Sequence, residues 1–368
     1  MPKRIPAQSI GRRGPLALAL GALLLLLTLL PAAPGVDAAG ERATPRIFWG
    51  VGPQSSVPAS DYNRMKRIGA DSVRTVIYWP TVQSSAGGGF DWGPYDALLS
   101  VTSRRGLEVF PVLYGTPDWL AGDPRTLPVR NARQSRAWAR FVKAAVHRYG
   151  PQGSFWQSHP GLPKRAFRHW QVWNEPNFFY FARPVSPGRY ASLLKKTSRA
   201  LNAADPGAQV ILGGLFGRPK EGPPRAYSAE AFLRRVYGVR GTKAAFDAVA
   251  LHPFARSAGN LPGIIGGVRR VMRQRGDGGT GLWITEVGWG SGRDTAFEKG
   301  IRGQARELRR AFRILLARRR AWRIRRVYWF SWEDVPGSCS FCDSTGLVRA
   351  NGRPKPSYSA YRSFAANR

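Results

Sequence analysis

Apolar residues in this chain come in short continuous runs, separated by longer stretches in which apolar positions recur with helical spacing. The runs are residues 47–52 (IFWGVG), 72–79 (SVRTVIYW), 108–114 (EVFPVLY), 168–174 (RHWQVWN), 209–215 (QVILGGL), 246–252 (FDAVALH), 282–287 (LWITEV) and 326–332 (RVYWFSW). Runs this short and this continuous read as strands covered on both faces, the pattern of a parallel sheet. Helices with readable ends are predicted between them. Ser60 caps one running through Asp61–Ile68 to Gly69, and others cover 94–105 to Gly106, 132–149 to Gly150, and 188–203 up to Asp205-Pro206. Two more cover 228–237 to Gly238 and 297–320, the longest. Eight strand-then-helix units in about 320 residues point to a (β/α)8 TIM barrel. An open doubly wound sheet is the alternative, weakened because no Gly-rich phosphate loop follows the first strand; Gly87-Gly88-Gly89 precedes a helix without following a strand.

The N-terminus stands outside this alternation. Residues 16–30 (LALALGALLLLLTLL) form one apolar run, preceded by Lys3, Arg4, Arg12 and Arg13 and followed by small residues around Ala38 and Ala39. Charged, apolar and small segments in that order describe a secretory signal peptide; the run is short of the ~20 apolar residues an uncleaved anchor needs. The expected division is therefore a signal peptide or anchor with a short linker over residues 1–40 and a single catalytic domain over 41–368. A secreted or extracytoplasmic location follows, with membrane anchoring as the alternative.

Charge changes the picture less than its size suggests. The chain carries 57 Lys+Arg against 22 Asp+Glu, a net +35, which invites a nucleic-acid reading through counterion release. Only 10 of those cations are Lys and 47 are Arg, a bias that GC-rich coding produces whatever the function. The densest stretch, residues 309–326 (RRAFRILLARRRAWRIRR), places Ala311, Phe312, Leu315 and Leu316 at helical spacing, so its arginines read as a solvated helix face. No nucleic acid is expected as partner. The charge is left with an acidic polysaccharide or an electrostatic attachment to the cell envelope. With 43% hydrophobic and 12% aromatic residues the chain can bury a large core, which excludes disorder as its main state.

In a barrel the functional groups come from strand C-termini. Those positions hold Arg74 and Tyr78, Tyr114, Asn174 and Glu175, His252, Glu286, and Glu333 with Asp334. Two glutamates ending strands four and seven are what glycoside hydrolysis requires: one carboxylic acid protonates the leaving oxygen, while a second carboxylate attacks or activates water at the anomeric carbon. HWQVWNEPN at residues 169–177 and WITEVGW at 283–289 resemble the two glutamate motifs of glycoside hydrolase clan A, the retaining (β/α)8 enzymes. The resemblance implies that Glu175 is the acid/base and Glu286 the nucleophile. It extends to Arg74 on strand two, TPDWL at residues 116–120, His252-Pro253 after strand six and WFSWED at 329–334, and it is nearest to the β-xylosidase and α-iduronidase type. One departure matters. Clan members often place a Tyr after strand six to hydrogen-bond the nucleophile, whereas this chain has Phe254.

Asn174 is expected to hydrogen-bond the sugar 2-hydroxyl, and Arg74 to keep Glu286 ionised. The resemblance implies that His252 orients substrate or nucleophile. Trp119 and Trp332 are expected as stacking platforms among 13 Trp, and Glu333 as a ligand for a sugar hydroxyl. Cys339 and Cys342 are the only cysteines, and in an exported chain they read as a local disulfide; a zinc site would need two more ligands. No metal or cofactor is expected, and the protein is expected to be a monomer. A carbohydrate-binding barrel without turnover, and less so a basic envelope- or nucleic-acid-binding protein, are the rival functions.

Overall fold

A computed structural model of the chain describes residues 47–366; the segment read as a signal peptide or anchor lies outside the described residues. Eight parallel strands close into a barrel in the order β1 to β8, with β8 pairing back onto β1. The strands are β1 Trp49–Gly52, β2 Ser72–Tyr78, β3 Glu108–Tyr114, β4 His169–Asn174, β5 Gln209–Phe216, β6 Ala248–His252, β7 Gly281–Val287 and β8 Ile324–Phe330. Each start and end lies within two residues of the predicted run. The main helices that follow them are α1 Ala59–Arg67, α2 Gly93–Arg104, α3 Ala132–Tyr149, α4 Pro187–Ala204, α5 Ala229–Tyr237, α6 Leu261–Gln274, α7 Gly300–Ala317 and α8 Pro356–Ala365. This is the (β/α)8 TIM architecture, and the open sheet is excluded by closure.

Two helices escaped the sequence reading. In α6, Gly263, Gly266 and Gly267 interrupt the apolar rhythm and lower helix propensity. The helix forms because Leu261, Ile264, Ile265, Val268, Val271 and Met272 still fall on one buried face. The C-terminal α8, opened by Pro356, packs against α7. Two boundaries also differ. Ser60 is not the cap of α1: the helix starts at Ala59, one residue earlier, with Pro58 at the cap position and no side chain capping it. The 297–320 segment is not one helix; α7 runs from Gly300 to Ala317, and a separate turn at Arg319–Trp322 ends at Arg323 in left-handed backbone (φ 53°). Along α7, Leu308, Ala311, Phe312 and Leu315 are buried while Arg302, Arg306, Arg309, Arg310 and Arg313 are exposed, so the dense arginine stretch begins as a solvated face.

The inside of the barrel is layered. Phe110, Ile211, Ala248, Ala250, Trp283 and Tyr328 form an apolar cluster of their own, separate from the larger core between strands and helices. Glu108, His169 and Arg326 meet at the N-terminal end of the strands, and Arg74, Gln171, His252 and Glu286 meet at the other. The aromatic layer is thus a floor with a polar cluster at each end of the barrel.

Candidate active site

Glu175 is presented by unusual backbone. Trp173 (φ 71°) and Glu175 (φ 40°) both adopt left-handed conformations, which cost a non-glycine residue about 1–2 kcal/mol each and persist only where the surroundings enforce them. The surroundings do so. Trp173 is fully buried, its indole N–H donates to the Phe181 carbonyl at 2.7 Å, and the Glu175 N–H donates to the Gly214 carbonyl at 3.1 Å. Tyr190 pins the same region from α4, donating its hydroxyl to the Val172 carbonyl and accepting from the Gly213 N–H. Asn177, fully buried, accepts from the Phe216 N–H at 3.0 Å and donates to the carbonyls of Phe216 and Tyr227, both at 2.8 Å. Its amide therefore clamps the loop after β4 to the loop after β5.

Seven side chains converge above the aromatic floor. Arg74 Nη1 donates to Glu286 Oε1 at 2.6 Å and Arg74 Nη2 to Asn174 Oδ1 at 2.7 Å. Arg74 Nε reaches Gln171 Oε1 at 3.4 Å. His252 Nδ1 lies 2.7 Å from Glu175 Oε1 and 3.5 Å from Glu286 Oε2, and its Nε2 lies 3.0 Å from the Thr285 hydroxyl. Ligand atoms of Glu175, His252 and Glu286 all fall within 4.8 Å of one another. The glutamates are 4% and 8% exposed, enough to meet a ligand at the strand ends while excluding most water.

The electrostatics separate the two carboxyls. Burial, and then the nearby charge of Glu286, push Glu175 well above the ordinary carboxylate range against the opposing charge of Arg74. Burial also raises Glu286, but Arg74 pulls it back through both charge and hydrogen bond. Of two carboxyls sharing one guanidinium, Glu286 therefore ionises first and Glu175 keeps its proton. His252 is fully buried beside Arg74 and pushed well below its usual value, so it is neutral. Glu175, His252 and Glu286 have the donor types to hold a cation, but the positive charge of Arg74 already sits on Glu286 and Glu175 is neutral. The arrangement fits proton transfer better than metal ligation.

Other predicted residues sit farther out. Asn174 offers Nδ2 to a ligand because Arg74 occupies its Oδ1. Trp119 is part-buried, with its N–H on the Gln83 carbonyl and its ring edge-on to Trp79. Trp332 is not a stacking platform: it is 0% exposed, its N–H donates to Asp61 Oδ2 on α1 at 3.0 Å, and Arg64 covers its ring. Glu333 is part-buried and accepts from the Ser55 hydroxyl at 2.6 Å, joining the loops after β8 and β1. Burial raises its carboxyl. Phe254 packs against Phe216, Phe330 and Phe341, so it gives Glu286 no hydroxyl. Cys339 and Cys342 are joined by a disulfide on the loop that carries Phe341.

Sequence reasoning missed Gln171, Thr285, Asn177 and the pair Gly213-Gly214. The last left a readable sign, since two glycines inside a strand mark a close approach. At Gly214 the approach is the His252 imidazole, whose Nε2 would lie 2.0 Å from an added Cβ.

The closed barrel has solved counterparts. A family 39 glycoside hydrolase from the gut symbiont Bacteroides cellulosilyticus WH2 superposes with a TM-score of 0.64 at 20% identity, covering 89% of this chain and 64% of that one. A monomeric beta-xylosidase from Caulobacter crescentus CB15 gives 0.62 at 20% identity, with 88% and 69% covered. An exo-beta-1,4-mannosidase from Opitutaceae bacterium strain TAV5 gives 0.59 at 17% identity, with 90% and 60% covered. The chain has the fold of these glycosidases. It spans between 60% and 69% of their length. No family model matches the chain, and no curated protein matches it in sequence. At these identities the likeness carries the barrel fold alone.

Proposed function

We propose that the protein is an exported retaining glycoside hydrolase, with Glu175 as acid/base and Glu286 as nucleophile, acting on a polysaccharide or glycoside. The observation that carries this reading is the pairing of two buried carboxyls, within 4.8 Å, with a single guanidinium. Retaining enzymes hold their carboxyl groups about 5–5.5 Å apart, whereas inverting ones leave about 6.5–9.5 Å for a water. Export rests on the signal-like segment at residues 16–30.

In the first step Glu286, with Oε1 held by Arg74, attacks the anomeric carbon through Oε2. Glu175 gives its proton to the glycosidic oxygen, the leaving alcohol departs, and a glycosyl ester of Glu286 remains. In the second step Glu175, now a carboxylate, takes a proton from water as that water attacks the anomeric carbon, and Glu286 leaves as a carboxylate. Losing the leaving group's proton makes Glu175 an anion beside Arg74, which is also relieved of Glu286's charge while the ester stands. The guanidinium therefore serves whichever carboxylate is ionised. The free Nδ2 of Asn174 is placed to donate to the 2-hydroxyl as charge develops on the ring.

The test is the stereochemistry of the first product. Once aryl glycosides have been screened for turnover, proton NMR of the early reaction should show the anomer of the substrate's own configuration. Inverted product appearing first would overturn the retaining assignment, and binding without turnover across the panel would favour a carbohydrate-binding barrel.

A further inference from the structure

The loop that follows Glu175 carries more chemistry than the double displacement uses. Phe178 donates its N–H to the Glu175 carbonyl at 2.9 Å, so this loop turns immediately beside the acid, and Phe178 bridges to Ala226 on the loop after β5. Phe178, Phe179 and Tyr180 pack on one another with ring centroids 4.2–5.3 Å apart, and Tyr180 is 57% exposed. Two guanidiniums flank Phe179: Arg225 lies 4.0 Å from its ring centroid and Arg183 lies 5.8 Å away. Both arginines are exposed, and among the described residues neither forms an ion pair with a carboxylate. In this aromatic seat the Arg225 guanidinium is held by the ring face, which leaves its N–H donors to face outward as a fork matched to a carboxylate.

An exposed aromatic ledge suits the C–H face of a sugar ring, and two guanidiniums beside it, of which Arg183 spends its Nε on the Phe179 carbonyl at 3.3 Å and neither spends its charge on a carboxylate among the described residues, suit an anionic substituent on that ring. The ledge begins three residues from the group that protonates the leaving oxygen, on the clamp that Asn177 provides. We propose that Phe179, Tyr180, Arg183 and Arg225 form a leaving-group subsite for a carboxylate-bearing sugar, a uronic acid. The proposal rests on the assignment of Glu175 as acid/base. It gives part of the net positive charge a local task, whereas the arginines of α7 coat a helix.

Two measurements on the full chain test it. The sugar that is turned over fastest as a 4-nitrophenyl glycoside is linked to glucuronic acid or to glucose, and kcat/KM is compared for the two disaccharides. The acid should be preferred by about 10- to 100-fold, the value of one or two charge-assisted hydrogen bonds. That ratio should fall to near one in an Arg183→Ala, Arg225→Ala double variant, and only part of it should survive in Arg225→Lys, which keeps the charge and loses the fork. Second, binding of an oligoglucuronate is measured by calorimetry in the Glu175→Gln background, which needs no turnover; it should weaken at least about tenfold in the double variant. An acid-to-neutral ratio or an oligoglucuronate affinity that ignores both arginines would overturn the subsite. Failure of the catalytic reading would show separately, as aryl glycoside hydrolysis that survives Glu175→Gln and Glu286→Gln.

Discussion

The barrel holds two buried clusters of the same ingredients, one at each end, and they behave in opposite ways. At the N-terminal end Glu108 meets Arg326 at 2.6 Å, with His169 beside both; at the C-terminal end Glu286 meets Arg74 at the same 2.6 Å, with His252 beside it. Burial penalises both carboxylates. At the first end the His169 ring 3.7 Å away and the charge and hydrogen bond of Arg326 outweigh it and hold Glu108 down at about 2. At the second end a further carboxyl, Glu175, has to share the one cation, and both glutamates titrate above the ordinary range. Distance and burial are nearly matched, so what differs is the count. One carboxylate facing one guanidinium makes a structural ion pair. Two carboxyls around one cation leave a proton that is ready to move.

The sharpest break in the comparison comes from replacing a glutamate at each end. On the proposed mechanism Glu286→Gln removes the nucleophile and should lower kcat by on the order of 10⁴-fold or more, and Glu175→Gln by about 10²–10⁴-fold for substrates with poor leaving groups, each with folding intact by circular dichroism. Glu108→Gln should do the reverse. It strands the buried Arg326 and should cost about 3 kcal/mol in urea unfolding, while kcat/KM stays near wild type below the melting point.

The pH dependence separates the two ends next. The proposed mechanism requires Glu286 ionised and Glu175 protonated, so kcat/KM should be bell-shaped, with its acid limb above the ordinary carboxylate range and its basic limb higher still. With a 2,4-dinitrophenyl glycoside, whose leaving group needs no proton, Glu175→Gln should lose the basic limb. Stability follows the other cluster. Glu108 binds its proton more weakly in the folded protein, so its contribution is fully present above the unfolded value of 4.5 and is lost as pH falls toward about 2. A melting temperature that showed no such acid decline relative to Glu108→Gln would break the comparison.

The smallest effect expected is a gain. A carboxyl whose folded pKa is raised opposes folding once the pH exceeds its unfolded value, so Glu175→Gln at pH 8 should stabilise the protein by on the order of 1 kcal/mol, seen as a small rise in melting temperature. An unchanged or lower melting temperature would mean that the site carries no strain of charge.

Much of this was legible along the chain. Eight strands can be read because each is a continuous apolar run, and a barrel follows from their alternation with helices. Glu175 and Glu286 stand out because polar residues ending apolar runs have few reasons to be there. What escaped depended on partners distant in sequence. Trp332 reads as a sugar platform until Asp61, 271 residues away, is found holding its N–H. Asn177 looks like the end of a motif until it is seen to join two loops. Helix α6 was hidden by glycines whose low propensity is overridden by packing, which a local pattern does not contain.

The Asn177 amide has a consequence for how such an enzyme can change. Because two of its hydrogen bonds hold Phe216 at the end of β5 and a third holds Tyr227, residues 218–225 between these anchors are free to vary in length and charge without carrying Glu175 with them. Innovation in what is recognised is thereby uncoupled from the inherited chemistry of bond cleavage. A library randomised over residues 218–225 in an otherwise fixed chain should yield new preferences at an undiminished intrinsic rate, whereas one randomised at position 177 should yield mostly inactive clones.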